Sequence, residues 1–284
     1  MRRRGQDAYR PWKGTVIKLS KTLSRIYVGL VYLFLYAPIA VLIIFSFNAS
    51  KSRNVWTGFT LDWYVRLFHN ETIISSLLNT LLVATVSSVA ATVIGTAAAV
   101  GIHAMHKNMR AAVINVTYLP VINPEIVTGV SLMLLFVFAG IRLGYTTLIL
   151  AHITFNVPYV ILNVIPKIRQ MDSHLYDAAQ DLGCDPLKAF FRVVMPEIMP
   201  GVITGFLMAF TYSIDDFVIS YFTSGPSSQT LPITIFSMTR KKVSPEINAL
   251  SAIIFLIVLA ILIIMNIKDS NIYRKRMKKE AERI

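Results

Sequence analysis

The sequence predicts an all-α integral membrane protein with six transmembrane helices, and two observations lead to this fold class. Of the 284 residues, 55% are hydrophobic and only 15% are charged, which is less charge than a soluble domain of this length carries. Several apolar runs also reach the roughly twenty residues that a helix needs to cross the hydrocarbon core of a bilayer. The six predicted spans are residues 26–47, 73–102, 111–139, 145–166, 201–223 and 248–267.

The first three spans differ from simple crossings. The first follows a basic stretch without a small-x-small cleavage site after it, so we expect it to be retained. The second and third are longer than one crossing requires, which predicts tilted or broken helices. Pro120, Pro124 and Gly129 are candidate breaks in the third, because proline removes a backbone donor and clashes with the preceding turn. Such a break survives in a bilayer only beside protein or a water-filled cavity, so it indicates a pathway.

The basic residues predict the orientation. With six spans both termini share one side, which carries 21 of the 28 Lys and Arg residues, against seven on the other side. The positive-inside rule therefore places both termini in the cytoplasm. The predicted organisation is a basic N-terminal tail (1–25), a six-span transmembrane domain (26–267) with a cytoplasmic loop at 167–200, and a basic tail (268–284). Topology and contact with anionic lipid explain the net charge of +13 better than nucleic-acid binding does.

The loop at 167–200 is polar and still helical in pattern. A cap at Asp172 or Ser173 begins a first short helix, which Gly183 is placed to end in a left-handed conformation. Asp185 followed by Pro186 begins a second helix, with the acid as cap and the proline at the first helical position. We therefore expect two short helices that meet at an angle.

The second short helix is predicted to end at Pro196 and Pro200, before the fifth span. Its apolar stripe has i, i+3, i+4, i+7 spacing and consists of Leu187, Phe190, Phe191 and Val194. Such a pair of helices either rests on lipid headgroups or docks into a groove of another protein. The loop carries four bases and five acids, and this mixed face with aromatic anchors suits a protein groove better than anionic lipid.

The loop resembles the signature of ABC-importer permeases, which is Glu-Ala-Ala, three residues, Gly, nine residues and Ile-x-Leu-Pro. The chain has Asp-Ala-Ala at 177–179, Gly183, and Val-Val-Met-Pro at 193–196, with the same two intervals. Each substitution keeps the charge or the apolar character of the signature. The resemblance implies the type I ABC-importer permease fold, in which this loop is a coupling-helix pair that sits in a groove of a separate ATPase. The residues so implied are Asp177, Ala178, Ala179, Gly183, Val193, Met195 and Pro196.

Three acids and no base fall inside the predicted spans: Glu125 in the third, and Asp215 and Asp216 in the fifth. Ionisable groups at this depth are costly and mark pathways. If the spans are straight, Glu125 and Asp215 lie about 21 Å above the inner face, in the outer half of the bilayer. Carboxylates without fixed cations favour a positively charged cargo or a metal. A dedicated metal cluster is not expected, because His152 is the one histidine within a span.

The acids also have structural interpretations. Neighbouring helical positions point about 100° apart, so at most one of Asp215 and Asp216 faces a pore squarely. The other can cap a broken backbone or bond Ser213 or a neighbouring helix. Aromatic faces attract ammonium groups, but aromatic side chains in spans also simply pack. The aromatic residues near the acids are Tyr118, Phe155, Tyr159, Tyr212 and Tyr221, and the pathway residues we predict are Glu125, Tyr212, Asp215 and Asp216.

Two further stretches resemble the spermidine/putrescine importer permeases of the PotC type: SIDDFVISYF at 213–222 and PEIVTGVSLMLLF at 124–136. Glu125 stands where an Asp is common, and the C-terminal tail is more basic. The resemblance implies a subunit of the bacterial cell (inner) membrane that needs no cofactor. It implies a second, PotB-like permease, an ATPase dimer and an extracytoplasmic polyamine-binding protein as partners.

Other functions fit less well. The chain lacks a G-x-x-x-x-G-K-[ST] phosphate loop and a nucleophile–base arrangement, so we expect it to hydrolyse nothing itself. An ion-coupled secondary carrier would use the same acids, but would show internal repeats and would leave 167–200 without a role. An enzyme acting on lipid headgroups would place its acids or histidines near the cytoplasmic face. Among importers, the alternative cargo is another cation, such as thiamine or ferric iron.

Overall fold

A computed structural model describes residues 21–50, 55–172, 174–241, 245–257, 259–260 and 263. The predicted C-terminal tail and most of the N-terminal tail lie outside these residues. The described part of the chain is helical, with one isolated antiparallel bridge, between Asn48 and Phe59, and no strand. It forms two compact units, one from the residues up to Tyr64 and from Pro245 onward, the other from the residues between them.

The unit built from the two ends of the chain contains α1 (Lys21–Phe45) and the apolar helix Pro245–Ile257. No residue in the most apolar stretch of α1 is buried. After α1 the chain turns around Asn48, whose carbonyl oxygen accepts a hydrogen bond from Trp63 Nε1 at 2.8 Å. A short amphipathic helix, α2 (Asp62–His69), leads towards the second unit.

The second unit has a core of three long helices. These are α3 (Glu71–Ala104), α6 (Tyr145–Gln170) and α9 (Met195–Asp215), and all three pack against one another. Val160 on α6 is fully buried between a glycine of α3 and a glycine of α9. A β-carbon on Gly95 would lie 2.7 Å from Val160 Cβ, and one on Gly205 would lie 3.2 Å from Val160 Cα. Small residues allow this close approach, which drives helix association where lipid offers no hydrophobic advantage.

The third predicted span is not one straight crossing. It consists of α4 (Lys107–Ile122) and α5 (Glu125–Phe138), which meet at an angle of 100°, so the pair is a broken span or a re-entrant loop. The break is at Pro124, one of the three candidates, because the residue before a proline avoids the helical region and Asn123 is extended with ψ 142°. Pro120 and Gly129 lie inside α4 and α5. The second predicted span, by contrast, is the single 34-residue helix α3.

The predicted end of the second loop helix was wrong. The chain is helical without interruption from Pro186 to Asp215, through α8 (Pro186–Ala189), a π-helical segment (Phe190–Val194) and α9. Neither Pro196 nor Pro200 ends the helix. The Met195 N–H donates to the carbonyl of Phe190, five residues back, and this wide turn makes room for a proline immediately after it. The second loop helix and the fifth span are therefore one helix.

The fifth span breaks near its far end. Helix α9 stops at Asp215, Asp216 is extended, and a short helix, α10 (Val218–Thr223), follows. Beyond it lie α11 (Leu231–Lys241) and the helix Pro245–Ile257, which covers the first part of the sixth predicted span. In the described residues four helices are long and apolar enough to cross a membrane, or five with the bent pair counted as one. The count of six therefore stays a prediction.

Candidate functional site

The break in the fifth span is capped by a buried carboxylate. Asp216 Oδ1 accepts a hydrogen bond from the Ile219 N–H at 3.2 Å, and Oδ2 accepts one from the Ser220 N–H at 2.7 Å. Asp216 is only 9% exposed. Its carboxylate satisfies backbone donors that the first turn of a helix leaves free, as a break at membrane depth requires. Of the roles that the sequence left open for the two aspartates, Asp216 has that of the cap.

His152 of α6 reaches the same cap from a neighbouring helix. Its Nε2 lies 3.0 Å from Ser220 Oγ and 3.5 Å from Asp216 Oδ2, and its side chain is fully buried. From the sequence, His152 was noted only as the one histidine within a predicted span. The missed signal is its spacing with Asn156, because two polar residues four apart on an apolar helix share one face.

Asn156 holds the other side of the break. Its Nδ2 donates to Ser213 Oγ at 2.7 Å, and Ser213 Oγ lies 3.3 Å from Ser87 Oγ on α3. Asn156, Ser213 and Ser87 are all buried. Ser213 thus has the neighbouring-helix bonds that the sequence suggested for one of the aspartates. A buried polar network therefore joins α3, α6 and the two sides of the break.

Asp215, between these anchored residues, is exposed. One turn earlier on α9, Tyr212 is 37% exposed, and its ring centroid lies 4.5 Å from that of Tyr159 on α6. Of the other aromatic residues named from the sequence, Phe155 is buried, whereas Tyr118 and Tyr221 are exposed. An exposed carboxylate and two tyrosine rings therefore lie along the last turn of the broken helix.

The break in the third span brings a second carboxylate to this region. Glu125 is the first residue of α5, is exposed, and lies within electrostatic range of the Tyr159 hydroxyl. Helix α5 packs on α10, where a β-carbon on Gly129 would lie 3.2 Å from the Phe222 ring. Helices α5 and α10 thus pack together next to the two breaks, and one exposed acid lies at each break.

The charge at the two breaks is negative. Among the described residues no Lys or Arg forms an ion pair with Glu125 or Asp215. Nor do three or more His, Cys, Asp or Glu side chains gather there as a metal site would require. The arrangement can attract an organic cation through carboxylates and aromatic faces.

The loop at the opposite end of the Pro186–Asp215 helix has the predicted bend. Asp172 Oδ1 accepts from the His174 N–H at 3.0 Å and so caps α7 (His174–Asp181). Gly183 has φ +82°, and the N–H of Cys184 bonds the carbonyl of Ala179 at 3.0 Å, which is a Schellman ending. The left-handed glycine is therefore confirmed.

The loop presents a mixed surface. The apolar stripe predicted for the second loop helix is divided, because the π segment breaks the α-helical period: Phe190 and Val194 pack inward, while Leu187 and Phe191 remain 69% and 62% exposed. Leu182 is 89% exposed. We call the following exposed residues the loop surface: Leu182, Leu187, Phe191, Asp177, Asp181 and Asp185.

The remaining signature residues lie beside the loop surface. Ala178 and Pro196 are exposed, and Ala179, Val193 and Met195 are half-buried. The signature positions are thus split between the surface and the packing that supports it.

Comparison with known proteins identifies the family. Residues 91–278 match the family described as "Binding-protein-dependent transport system inner membrane component". The chain belongs to this family. This inner membrane component is 36% identical over 242 residues to the spermidine/putrescine transport system permease protein PotC of Haemophilus influenzae, covering 85% of this chain and 94% of the relative. It is 38% identical over 252 residues to the putrescine transport system permease protein PotI of Escherichia coli K12, covering 86% and 85%.

Solved structures show that the inner membrane component has the fold of ABC-importer permeases. A bacterial ABC transporter that imports alginate superposes with a TM-score of 0.65 at 13% identity, covering 88% of this chain and 95% of that chain. The bacterial alginate ABC transporter in complex with a pentasaccharide-bound periplasmic protein gives 0.63 at 18% identity, covering 86% and 91%. At these identities the likeness concerns the fold alone.

Proposed function

We propose that this permease forms half of the translocation pathway of an ATP-driven importer that moves spermidine or putrescine into the cell. The observation that carries the proposal is the pair of exposed carboxylates, Glu125 and Asp215, at the breaks of two packed helices. The names of the curated relatives support the choice of cargo. The chain itself is a non-catalytic subunit of the transporter.

A polyamine suits this region chemically. Spermidine and putrescine are flexible chains with several ammonium groups, which carboxylates attract and which aromatic faces bind. Glu125, Asp215 and Tyr212 are the proposed contacts on this chain, and Asp216 contributes by capping the break. An inside-negative potential favours entry by about 2.3 kcal/mol per charge per 100 mV, and accumulation beyond that requires the ATPase.

The loop surface is the proposed docking site for the ATPase. Three large apolar side chains on a face that mixes aspartates with the exposed Lys188 and Arg192 fit a protein groove better than an anionic lipid surface, which favours a predominantly basic face. The helix Pro186–Asp215 has 30 residues, so it extends roughly 45 Å from this surface to the pathway acid. A movement of the loop surface is therefore carried to Asp215 by one continuous helix.

The assembly we propose contains four further kinds of contact. A second, PotB-like permease completes the pathway, and the unburied face of α1 offers it or lipid a contact. An ATPase dimer binds on the cytoplasmic side, where both termini lie. An extracytoplasmic polyamine-binding protein delivers the cargo, and the bilayer surrounds the remaining helix faces.

Reconstitution tests this function. Vesicles containing the permease with a PotB-like subunit, the ATPase and the binding protein should take up labelled spermidine or putrescine only with ATP on the ATPase side. Uptake driven by an ion gradient in vesicles without the ATPase would instead support a secondary carrier. Transport of thiamine or ferric iron with no polyamine uptake would support the assignment as an importer but contradict the proposed cargo.

A further inference from the structure

Asp215 is exposed, yet the residues on both sides of it are fixed by buried side chains of α6. We propose that His152 is a positioning residue for transport: by holding the Asp216 cap of α10, it sets the break in the fifth span and so the direction in which Asp215 faces the pathway. The inference rests on the proposed function of Asp215 as a pathway acid.

The first support is the geometry at the cap. Asp216 Oδ2 receives the Ser220 N–H at 2.7 Å, and His152 Nε2 lies 3.5 Å from the same oxygen and 3.0 Å from Ser220 Oγ. One imidazole thus contacts both the capping carboxylate and the helix that it caps. Without the imidazole, the Ser220 hydroxyl loses its hydrogen bond to α6, and the capping carboxylate loses its neighbour on that helix.

The second support is that α6 anchors the chain on both sides of Asp215. Asn156 donates to Ser213, two residues before Asp215, at 2.7 Å, and His152 contacts Asp216 and Ser220 after it. His152 and Asn156 lie one turn apart, so one face of one helix supplies both anchors. The exposed acid has no hydrogen bond among the described contacts, and its direction follows from the residues that flank it.

The role of His152 differs from general packing because we assign the Nε2 proton towards Ser220 Oγ and the Asp216 carboxylate, so that one donor atom makes both contacts. Glutamine places an N–H donor close to the position of the imidazole Nε2, whereas leucine fills a similar volume without a donor. His152→Gln should therefore keep the direction of residue 215, and His152→Leu should lose it. If His152 served packing alone, the leucine variant would keep the direction of residue 215 better than the glutamine variant, because an apolar side chain suits a buried site better.

The test measures where residue 215 faces in the assembled importer. A Cys184→Ser, Asp215→Cys background supplies a single reporter thiol in this chain, the partner subunits are made cysteine-free, and the probe is a cationic thiol reagent added from the binding-protein side. We expect His152→Gln to label within about twofold of the background rate, and His152→Leu to differ from it by on the order of tenfold. Thr154→Ala is the control, because Thr154 is exposed on the same helix and its hydroxyl donates to the Leu150 carbonyl of that helix.

Equal labelling rates in the leucine variant and the background, at equal assembly with the partners, would overturn the proposal. Ser220→Ala weakens the same contact from the α10 side and gives the decisive measurement if the leucine variant does not assemble. An unchanged rate in that variant would then be the overturning result.

The test separates this inference from the proposed function. Asp215→Asn in the otherwise unchanged importer asks whether the acid serves transport at all. Wild-type uptake in that variant would overturn the pathway assignment of Asp215, while the labelling rates would still report whether His152 sets the direction of residue 215.

Discussion

The two ends of the helix Pro186–Asp215 are built in opposite ways. At the loop end, apolar and acidic side chains are exposed, and the backbone is widened by a π segment. At the other end, a buried network of serine, asparagine, histidine and aspartate fixes the break, and one acid is left exposed between the anchored residues. The comparison teaches that one continuous helix joins an exposed mixed surface, which we propose as the ATPase site, to a rigidly held break, which we propose as part of the pathway.

The largest expected effect is at the loop end. The double substitution Leu187→Asp and Phe191→Asp removes two exposed apolar anchors, so ATPase docking and ATP-driven uptake should fall by on the order of a hundredfold. Co-purification with the ATPase and vesicle uptake measure the change. Lys188→Ala, an exposed position on the same helix, is the control. Normal docking by the double variant would remove the loop surface from the ATPase interface.

A smaller effect is expected from the bend that orients the loop. Gly183→Val places a β-branched residue at φ +82°, which costs about 1–2 kcal/mol, although no atom lies within 4 Å of the new β-carbon. Uptake per ATP hydrolysed should therefore fall by roughly tenfold, with insertion into the membrane intact. Gly140→Val is a matched control, because Gly140 has φ +71°, has equally open surroundings and lies at the end of α5. An equal loss in both variants would show that strain alone, and not the loop, is responsible.

At the other end of the helix Pro186–Asp215, substitutions of the two aspartates should have different effects. Asp215→Asn should raise the KM for spermidine uptake by about tenfold, because it removes a charge from an exposed contact, and should leave the Tm of the purified complex unchanged. Asp216→Asn should lower the Tm, since an NH₂ group replaces one of the two oxygens that accept from the Ile219 and Ser220 N–H groups. Uptake at the wild-type rate by both variants would show that the two acids have only a structural role.

The smallest expected effect concerns the edge of the buried network. Ser87→Ala removes the contact between Ser87 and Ser213, which is long at 3.3 Å, while Asn156 still donates to Ser213. A loss of about 0.5–1.5 kcal/mol in unfolding free energy is expected, with uptake within about twofold of wild type. Thermal unfolding of the complex and vesicle uptake measure the two quantities. A large loss of uptake would mean that the network moves during transport.

Local rules predicted the loop bend well. A left-handed glycine after a short helix and an Asp-Pro pair before the next one depend only on neighbouring residues, and both stand where expected, although the Asp185 side chain makes no cap hydrogen bond. The break at Pro124 was one of three candidates, but no local rule specifies its angle of 100°, and α5 packs on α10, which is distant in the sequence. The continuity through Pro196 was missed because the α-helical template has no place for a π turn.

The site was predictable only in part. Costly acids within apolar runs pointed to Glu125, Asp215 and Asp216, and chain position alone left open which aspartate faces outward. The contact of His152 with Asp216 joins residues far apart in sequence, so no local pattern contains it. The pairing of polar residues four apart on α6 was the available hint.

Val160, held between Gly95 and Gly205, brings α3, α6 and α9 into one tightly packed core. Gly201 of α9 is held as closely, because a β-carbon there would lie 2.9 Å from the Asn163 carbonyl oxygen of α6. Asn156 and His152 fasten the same two helices beside the break. We therefore expect α6 and α9 to travel together as one rigid body, so that a push at the loop end arrives at Asp215 in the same direction and with little loss.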